Sequence, residues 1–324
     1  MAEKLKLCLV GPRGAGKSSL VASLADCVLQ SAYGYPPQLR AALQPISRIE
    51  YEEASAAASR FELLENLVSD YERLRAEFAA GGAPTAASEV FDYHFRLTLD
   101  GEGAEANRTP RLLEISDASG DLCAPSLASR PLSFTLKEKF AAKLLGADAI
   151  LLVLPLARLS DCAWSGDIAR LLERLAQARE RKATRFIVAF SKYERLFVPF
   201  GPSAFTFACD PAVALHVARK AAQSAPWLNV LRRLDGGESD AKTRFTVVSA
   251  FGFVKNFQNP NIDPHQPGER RFRRDGLEGA QAHREFWRPF LTAEPILEAA
   301  LGHGSAFTFS FAQLDGTDAR QEDA

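Results

Sequence analysis

Cysteine is sparse in this 324-residue sequence: Cys8, Cys27, Cys123, Cys162 and Cys209 are odd in number, scattered, and form no CxxC pair with histidines at ligand spacing. Neither a disulfide framework nor a zinc site is expected, and a reducing cytoplasm suits such a chain. Net charge is also missing, since 39 lysines and arginines against 40 acids leave −1. That balance argues against a nucleic-acid partner, which a broad basic face would advertise. Long apolar runs are absent too. The longest, Ala149 to Leu154 with Pro155 behind it, is far too short to span a bilayer. The start, Met1 to Lys6, lacks the apolar stretch and small-residue cleavage site of a signal peptide. A cytoplasmic chain that does not insert into a membrane is expected. What is present, 47% hydrophobic and 24% charged residues, is a globular profile that disordered or collagen-like chains do not share.

Continuous β-rich runs recur at Leu5–Val10, Leu112–Ile115, Ala149–Leu154, Phe186–Phe190 and Phe245–Val248, with helical-period stretches between most of them. Strands buried on both faces lack alternation, and intervening helices imply parallel crossovers, so the expected class is α/β. One strand differs: Phe91, Tyr93, Phe95, Leu97 and Leu99 alternate with Asp92, His94, Arg96 and Thr98. One of its faces should meet water, which predicts a sheet edge with an exposed His94.

Two regions read as insertions. Between Ser47 and Ala80, Phe61, Leu64, Val68, Tyr71, Leu74 and Phe78 recur at intervals of three and four, and Gly81-Gly82 with Pro84 supplies a stop. One long helix is predicted. Lys255 to Gly279, rich in Asn, Pro, Gly and Arg, predicts an irregular loop. Its Glu269–Arg274 run reads as a solvated loop or a partner contact. Pro289 and Pro295 should break the last helical stretch, Thr135 with Glu138 reads as a capping box, and Asp315 to Ala324 reads as tail. Ser203–Phe207 and Ser305–Phe309 are the same pentapeptide, SAFTF. With no fixed period around them, they are expected to be coincidence or paired edge segments rather than a repeat.

The chemistry begins after the first strand, where Gly11-Pro12-Arg13-Gly14-Ala15-Gly16-Lys17-Ser18-Ser19 matches GxxxxGK[ST] in full and runs into a helical pattern. Glycines let the backbone curl so that successive N–H groups face a phosphate, and the helix start adds partial positive charge. Gly11, Arg13, Gly14, Ala15, Gly16 and Lys17 form that cradle. Lys17 neutralises β- and γ-phosphate oxygens, Ser18 offers its hydroxyl to Mg²⁺, and Ser19 falls near the α-phosphate.

Leu112-Leu113-Glu114-Ile115-Ser116-Asp117-Ala118-Ser119-Gly120-Asp121 resembles the DxxG strand end of the Ras-like, translation-factor-related class of P-loop GTPases. The resemblance implies that Asp117 holds Mg²⁺ through water, that the Gly120 amide reports on the γ-phosphate, and that Ser119 to Ser133 is a mobile second switch. Ser191-Lys192-Tyr193-Glu194 is similar to the family's [NT]KxD guanine motif, with Lys192 laid against the base and Glu194, in place of Asp, accepting the guanine N–H groups. Ser249-Ala250-Phe251 is similar to its SAK element, with Phe251 where Lys is usual. Thr85, in Pro84-Thr85, stands where the family keeps a switch I threonine for Mg²⁺ and γ-phosphate; Thr98 and Thr109 are poorer placed.

The resemblance covers Gly11 to Phe251 and implies a Ras-like, mostly parallel six-stranded sheet with helices on both faces. It places a helical insertion (47–82) before the antiparallel edge strand. Residues 1–302 would form one G domain with a second insertion at 255–279, and residues 303–324 a C-terminal segment and tail. The first insertion and the KYERLF run at Lys192–Phe197 also resemble bacterial double-GTPase proteins, although this sequence has one P-loop. The expected ligands are GTP or GDP with Mg²⁺, and the expected activity is a switch that signals to a protein effector or activating partner. Asp121 stands where Ras-like members carry a water-orienting Gln, which implies slow intrinsic hydrolysis. Arg13 reads either as a charge-stabilising group over the γ-phosphate or as a solvated loop residue. Two rivals stay open: a nucleotide-bound scaffold without hydrolysis, and an ATP-using P-loop enzyme.

Overall fold

A computed structural model describes residues 4–26, 40–45, 67–79, 90–100, 111–125, 133–156, 162–178, 185–223, 225–235, 243–254, 257–262, 287–302 and 305–316. Strands β1 (Lys4–Val10), β2 (Arg40–Pro45), β3 (Val90–Asp100), β4 (Arg111–Ala118), β5 (Ala149–Pro155), β6 (Arg185–Ser191), β7 (Thr243–Val247), β8 (Ser249–Val254), β9 (Trp287–Phe290) and β10 (Thr308–Phe309) account for two sheets. Among the described residues the main sheet has eight strands in the order β10-β7-β6-β5-β1-β4-β3-β2, and β8 pairs with β9 separately.

The five continuous apolar runs are the parallel centre of this sheet. β1 lies between β4 and β5, and β6 and β7 continue in parallel. Ala149 to Leu154 has no measurable exposure, as strands covered on both faces require. β3 runs antiparallel to β4. Helix α1 (Lys17–Ser23) follows β1, α2 is Leu67–Ala79, a single turn α3 is Gly120–Cys123, and α4 (Phe134–Gly146) leads into β5. The helix expected after the P-loop is short, since α1 gives way to a 3₁₀ turn at Leu24–Asp26.

The structure corrects several expectations. The sheet has eight described strands, not six, and β3 is not an edge, because β2 pairs along its outer side from Arg40↔Asp100 to Pro45↔Phe95. β2 reads Arg-Ala-Ala-Leu-Gln-Pro, which carries no alternation and ends in proline, a residue that suits an outer strand. His94 is buried, with Nε2 3.9 Å from Glu114 Oε2. The polar face of β3 meets α4, whose Lys143 Nζ lies 2.7 Å from Asp92 and 2.8 Å from Glu114. Ser133, not Thr135, caps α4 by accepting from the Leu136 N–H at 3.2 Å. Ser249–Phe251 opens a separate strand, β8, rather than ending the strand before it.

The remaining expectations fare unevenly. Pro295 sits in the first turn of the helix Glu294–Leu301, whereas Pro289 lies within β9. Of the long helix predicted before β3, Leu67–Ala79 is described; residues 47–66 and 80–82 lie outside the described residues, as does most of 255–279. The SAFTF pentapeptides adopt different structures. The first leads into the helix Ala204–Ala208, while the second ends in β10, antiparallel to β7. Asp315 is not tail: it pairs with Arg232 at 2.7 and 2.5 Å.

Candidate functional site

Register brings the functional strings to one edge of the sheet. β1 ends into Gly11, and its Leu9 lies opposite Asp117 on one side and Leu151 on the other. β6 carries Ser191 opposite Pro155, and Phe190 lies opposite Val247 just before Ser249. Because β1 sits between strands reached by opposite crossovers, Gly11–Ser19 occupies the topological switch point at the strands' carboxyl ends, where ligands of open α/β sheets bind.

The loop itself is built as a cradle. Gly14 and Gly16 take φ of +75° and +91°, the left-handed region that side chains resist. Gly11 allows a close approach, since a Cβ there would lie 2.2 Å from the Val153 carbonyl oxygen. Lys17 is buried and its Nζ donates to the Gly11 and Pro12 carbonyls at 2.8 and 3.3 Å, so the ammonium lies across the loop mouth. Ala15 and Ser19 are buried, Gly16 and Ser18 half-buried, and Arg13 and Gly14 exposed.

Ser18 Oγ donates to Asp117 Oδ2 at 2.6 Å. Asp117 Oδ1 is buried and has no hydrogen-bond partner. Burial pushes the Asp117 carboxyl up, and the Lys17 charge and the Ser18 hydroxyl pull it back. A hydroxyl beside a carboxylate with a spare buried oxygen is the hard donor set that Mg²⁺ takes, so these residues fit the metal. Ser119 caps the turn α3 by accepting from the Asp121 N–H at 3.4 Å. Gly120 touches the P-loop so closely that a Cβ would lie 2.2 Å from Arg13 N. Asp121 is half-buried, and its Oδ1 has no hydrogen-bond partner.

The base motifs converge from the far side. Ser191 Oγ donates to the Ala15 carbonyl at 2.6 Å, tying β6 to the P-loop. Lys192 holds φ +65°, an uncommon conformation for a side chain of its length and of the kind that clusters at ligand sites. The Tyr193 N–H donates to the Val248 carbonyl at 3.3 Å, and Val248 N–H to Phe190 at 2.9 Å. Together these bonds frame a narrow cleft formed by Ala15, Gly16, Ser19 and Leu20 of the P-loop and α1, Ser191 and Lys192 of β6 and its exit, and Val248, Ala250 and Phe251.

No family model matches the chain, and no curated protein does. Among solved structures, the chain is similar to the signal recognition particle receptor SRb-GTP/SRX complex from Chaetomium thermophilum. There the TM-score is 0.35 at 13% identity, over 76% of this chain and 91% of that one. It is also similar to the S. cerevisiae Ski7 GTPase-like domain bound to GDP and inorganic phosphate, at TM-score 0.37 and 10% identity, over 83% of this chain and 48% of that one. Likeness at this level leaves the geometry to carry the functional reading.

The structure therefore assembles Gly11, Gly14, Ala15, Gly16, Lys17, Ser18, Ser19, Asp117 and Gly120 around one loop, with Ser191, Lys192, Ala250 and Phe251 around the adjoining cleft. Ser249 supports rather than lines that cleft: its Oγ accepts from the Gly252 N–H at 2.7 Å. Glu194 is fully buried and is not among the cleft's lining residues. Thr85 lies outside the described residues, as do 126–132 of the expected second switch. Sequence reading missed Phe78, whose ring lies 5.0 Å from that of Phe251; its helical spacing marked it only as an apolar-face residue. Among the described residues no helix is long and apolar enough to cross a membrane.

Proposed function

We propose that this chain is a Mg²⁺-dependent GTP-binding switch with slow intrinsic hydrolysis, built on one G domain and read out by a protein partner. The observation that carries this reading is the Ser18–Asp117 pair at 2.6 Å with a spare buried carboxylate oxygen beside the Lys17 ammonium. The P-loop amides and the start of α1 would face the β-phosphate, with Lys17 bridging β- and γ-oxygens. Bound Mg²⁺ would neutralise charge on those same oxygens, held by Ser18 and, through water, by Asp117, with Thr85 as the switch I candidate. Hydrolysis requires water to attack the γ-phosphorus as the bond to the β–γ bridging oxygen breaks. Asp121 can accept a proton or a hydrogen bond from that water but, when ionised, donates none. Arg13 is exposed, which favours a solvated loop residue until a partner orders it.

In this reading the γ-phosphate orders the segments near Thr85 and Asp121 and so alters a surface beside α2. The test is nucleotide analysis of the protein as purified, followed by titration with GTP, GDP and ATP with and without Mg²⁺. Bound guanine nucleotide and Mg²⁺-dependent GTP binding are expected; absence of heat with every nucleotide refutes the proposal. One observation favours a second reading, an ATP-using P-loop enzyme: Glu194, the only acid of the base motif, is fully buried and does not line the cleft. ATP displacing a fluorescent GTP analogue as well as GTP does would select it.

A further inference from the structure

We propose that Phe251 is the aromatic platform on which the nucleotide's base stacks, and that Phe78 backs it, making α2 a working part of the base site. The inference rests on the P-loop reading above and adds to it the residues that grip the base. Phe251, 4% exposed, lines the cleft together with Lys192 and is the one aromatic residue among the described residues that line it. Its ring lies 5.0 Å from that of Phe78 at 39°, within the separation of favourable aromatic pairs. Phe78 is fully buried near the end of α2.

Neither ring is free to retreat. The Phe251 backbone is held where Ser249 Oγ accepts from the Gly252 N–H, and Gly252 lies so close to β9 that a Cβ would sit 1.7 Å from the Arg288 carbonyl oxygen. α2 is pinned near its other end by Tyr71. That hydroxyl donates to the Ala22 carbonyl at 3.3 Å and accepts from the Ala25 N–H at 3.4 Å, both at the end of the P-loop helix. The Tyr71 ring also meets Phe95 edge-on at 5.2 Å and Tyr93 at 6.3 Å, both on β3. A base entering the cleft therefore presses on a ring whose backing leads through one helix to both α1 and β3.

Stacking on an aromatic face adds affinity with little preference among bases. The probes are Mg²⁺ complexes of GTP, ATP and inorganic tripolyphosphate, titrated calorimetrically into the full chain and its Phe251→Ala, Phe251→Leu and Phe78→Leu variants. Phe251→Leu keeps most of the volume while losing the π face, so it serves if the alanine variant fails to fold. Phe251→Ala and Phe251→Leu should weaken whichever nucleotide the wild type binds by roughly tenfold or more and leave tripolyphosphate within about twofold. Where GTP and ATP both bind, the loss should be the same for both. Phe78→Leu should weaken nucleotide by a smaller factor, again sparing tripolyphosphate. Unchanged nucleotide affinity in the Phe251 variants, or an equal loss of tripolyphosphate, overturns the inference and leaves the P-loop reading standing. A wild type that binds tripolyphosphate but no nucleotide overturns the inference and the GTP-binding proposal together and leaves only a phosphate-binding loop, whereas one that binds none of the three removes that loop's role as well.

Discussion

Replacing Gly120 by alanine tests the site through its tightest contact. The new Cβ would lie 2.2 Å from Arg13 N, 2.4 Å from Arg13 Cα and 2.7 Å from the Pro12 carbonyl carbon, all backbone atoms that no rotamer change can relieve. Ordinary contact begins at 3.4 Å, so α3 and the P-loop must part by roughly 1.2 Å. Asp117 stands three residues before Gly120 and shares a 2.6 Å hydrogen bond with Ser18. A separation of that size takes this bond past hydrogen-bonding range unless β4 follows. Hydrogen bonds to charged groups are worth about 1.5–3 kcal/mol, and each 1.4 kcal/mol is about tenfold in affinity. Gly120→Ala should therefore weaken Mg²⁺-nucleotide binding by roughly ten- to a hundredfold and, as overpacking, cost about 1–3 kcal/mol of stability. Gly14→Ala is the control, because nothing lies within 4 Å of its Cβ and only the strain of φ +75° is incurred, about 1–2 kcal/mol. Calorimetric titration and thermal melting of both variants measure these terms. Gly120→Ala binding within threefold of wild type while melting unchanged would refute the claim that this contact sets the loop.

Three further perturbations separate the metal pair, the loop tie and the C-terminal anchor. Burial raises the Asp117 carboxyl, so its contribution to stability is present below the ordinary carboxylate value and is lost as pH rises through the folded value. Asp117→Asn should melt higher than wild type at neutral pH without metal, yet gain nothing from Mg²⁺ with nucleotide; a melt stabilised by Mg²⁺ as wild type is would contradict the metal assignment. Ser191→Ala leaves the Ala15 carbonyl without the 2.6 Å bond it accepts and should cost about 1–3 kcal/mol in denaturant unfolding, with weaker nucleotide binding. Unaltered affinity would detach β6 from the P-loop. Glu294 Oε1 accepts from the Ser305 N–H and the Thr308 hydroxyl, both at 2.6 Å, and burial raises its carboxyl. Wild-type stability from this group thus falls as pH rises above the ordinary glutamate range, and Glu294→Gln, which keeps an acceptor oxygen, should flatten the fall of melting temperature with pH above that range. An unchanged slope would assign the pH dependence elsewhere.

The parallel strands and the P-loop were legible because their physics is local. A strand covered on both faces must be continuously apolar, and a loop that wraps a phosphate must place its glycines and lysine within a few residues. Ala149–Leu154 and Gly11–Ser19 obey those demands in any context. The position of β3 was not legible. Its alternation correctly separates two faces, but Asp92 pairs with Lys143 of α4, and His94 lies buried beside Glu114 of β4, which pairs with the same lysine. Binary pattern cannot tell a solvated polar face from one neutralised by a distant lysine. β2 and β10 escaped for another reason: a short strand without alternation is chosen by the edge that receives it. SAFTF, leading into a helix at one site and ending in a strand at the other, shows how weak the local preference is.

The same distinction separates the two halves of the candidate site. Ser18 and Asp117 meet across a span of 99 residues, yet each stood inside a string whose chemistry demands a partner of the other's kind. A P-loop hydroxyl needs a second oxygen donor for its cation, and an acid ending a neighbouring parallel strand supplies one. Phe78 and Phe251 meet with as much consequence and no such demand, since an apolar ring on an amphipathic helix is satisfied by any core. Directional, charged chemistry restricts its partners enough to be paired from sequence, whereas packing restricts only volume. The strings expected to meet phosphate and base, Phe251 among them, could therefore be read before the structure, while the place of Phe78 behind Phe251 could be found only once α2 was seen lying against both the P-loop helix and that ring.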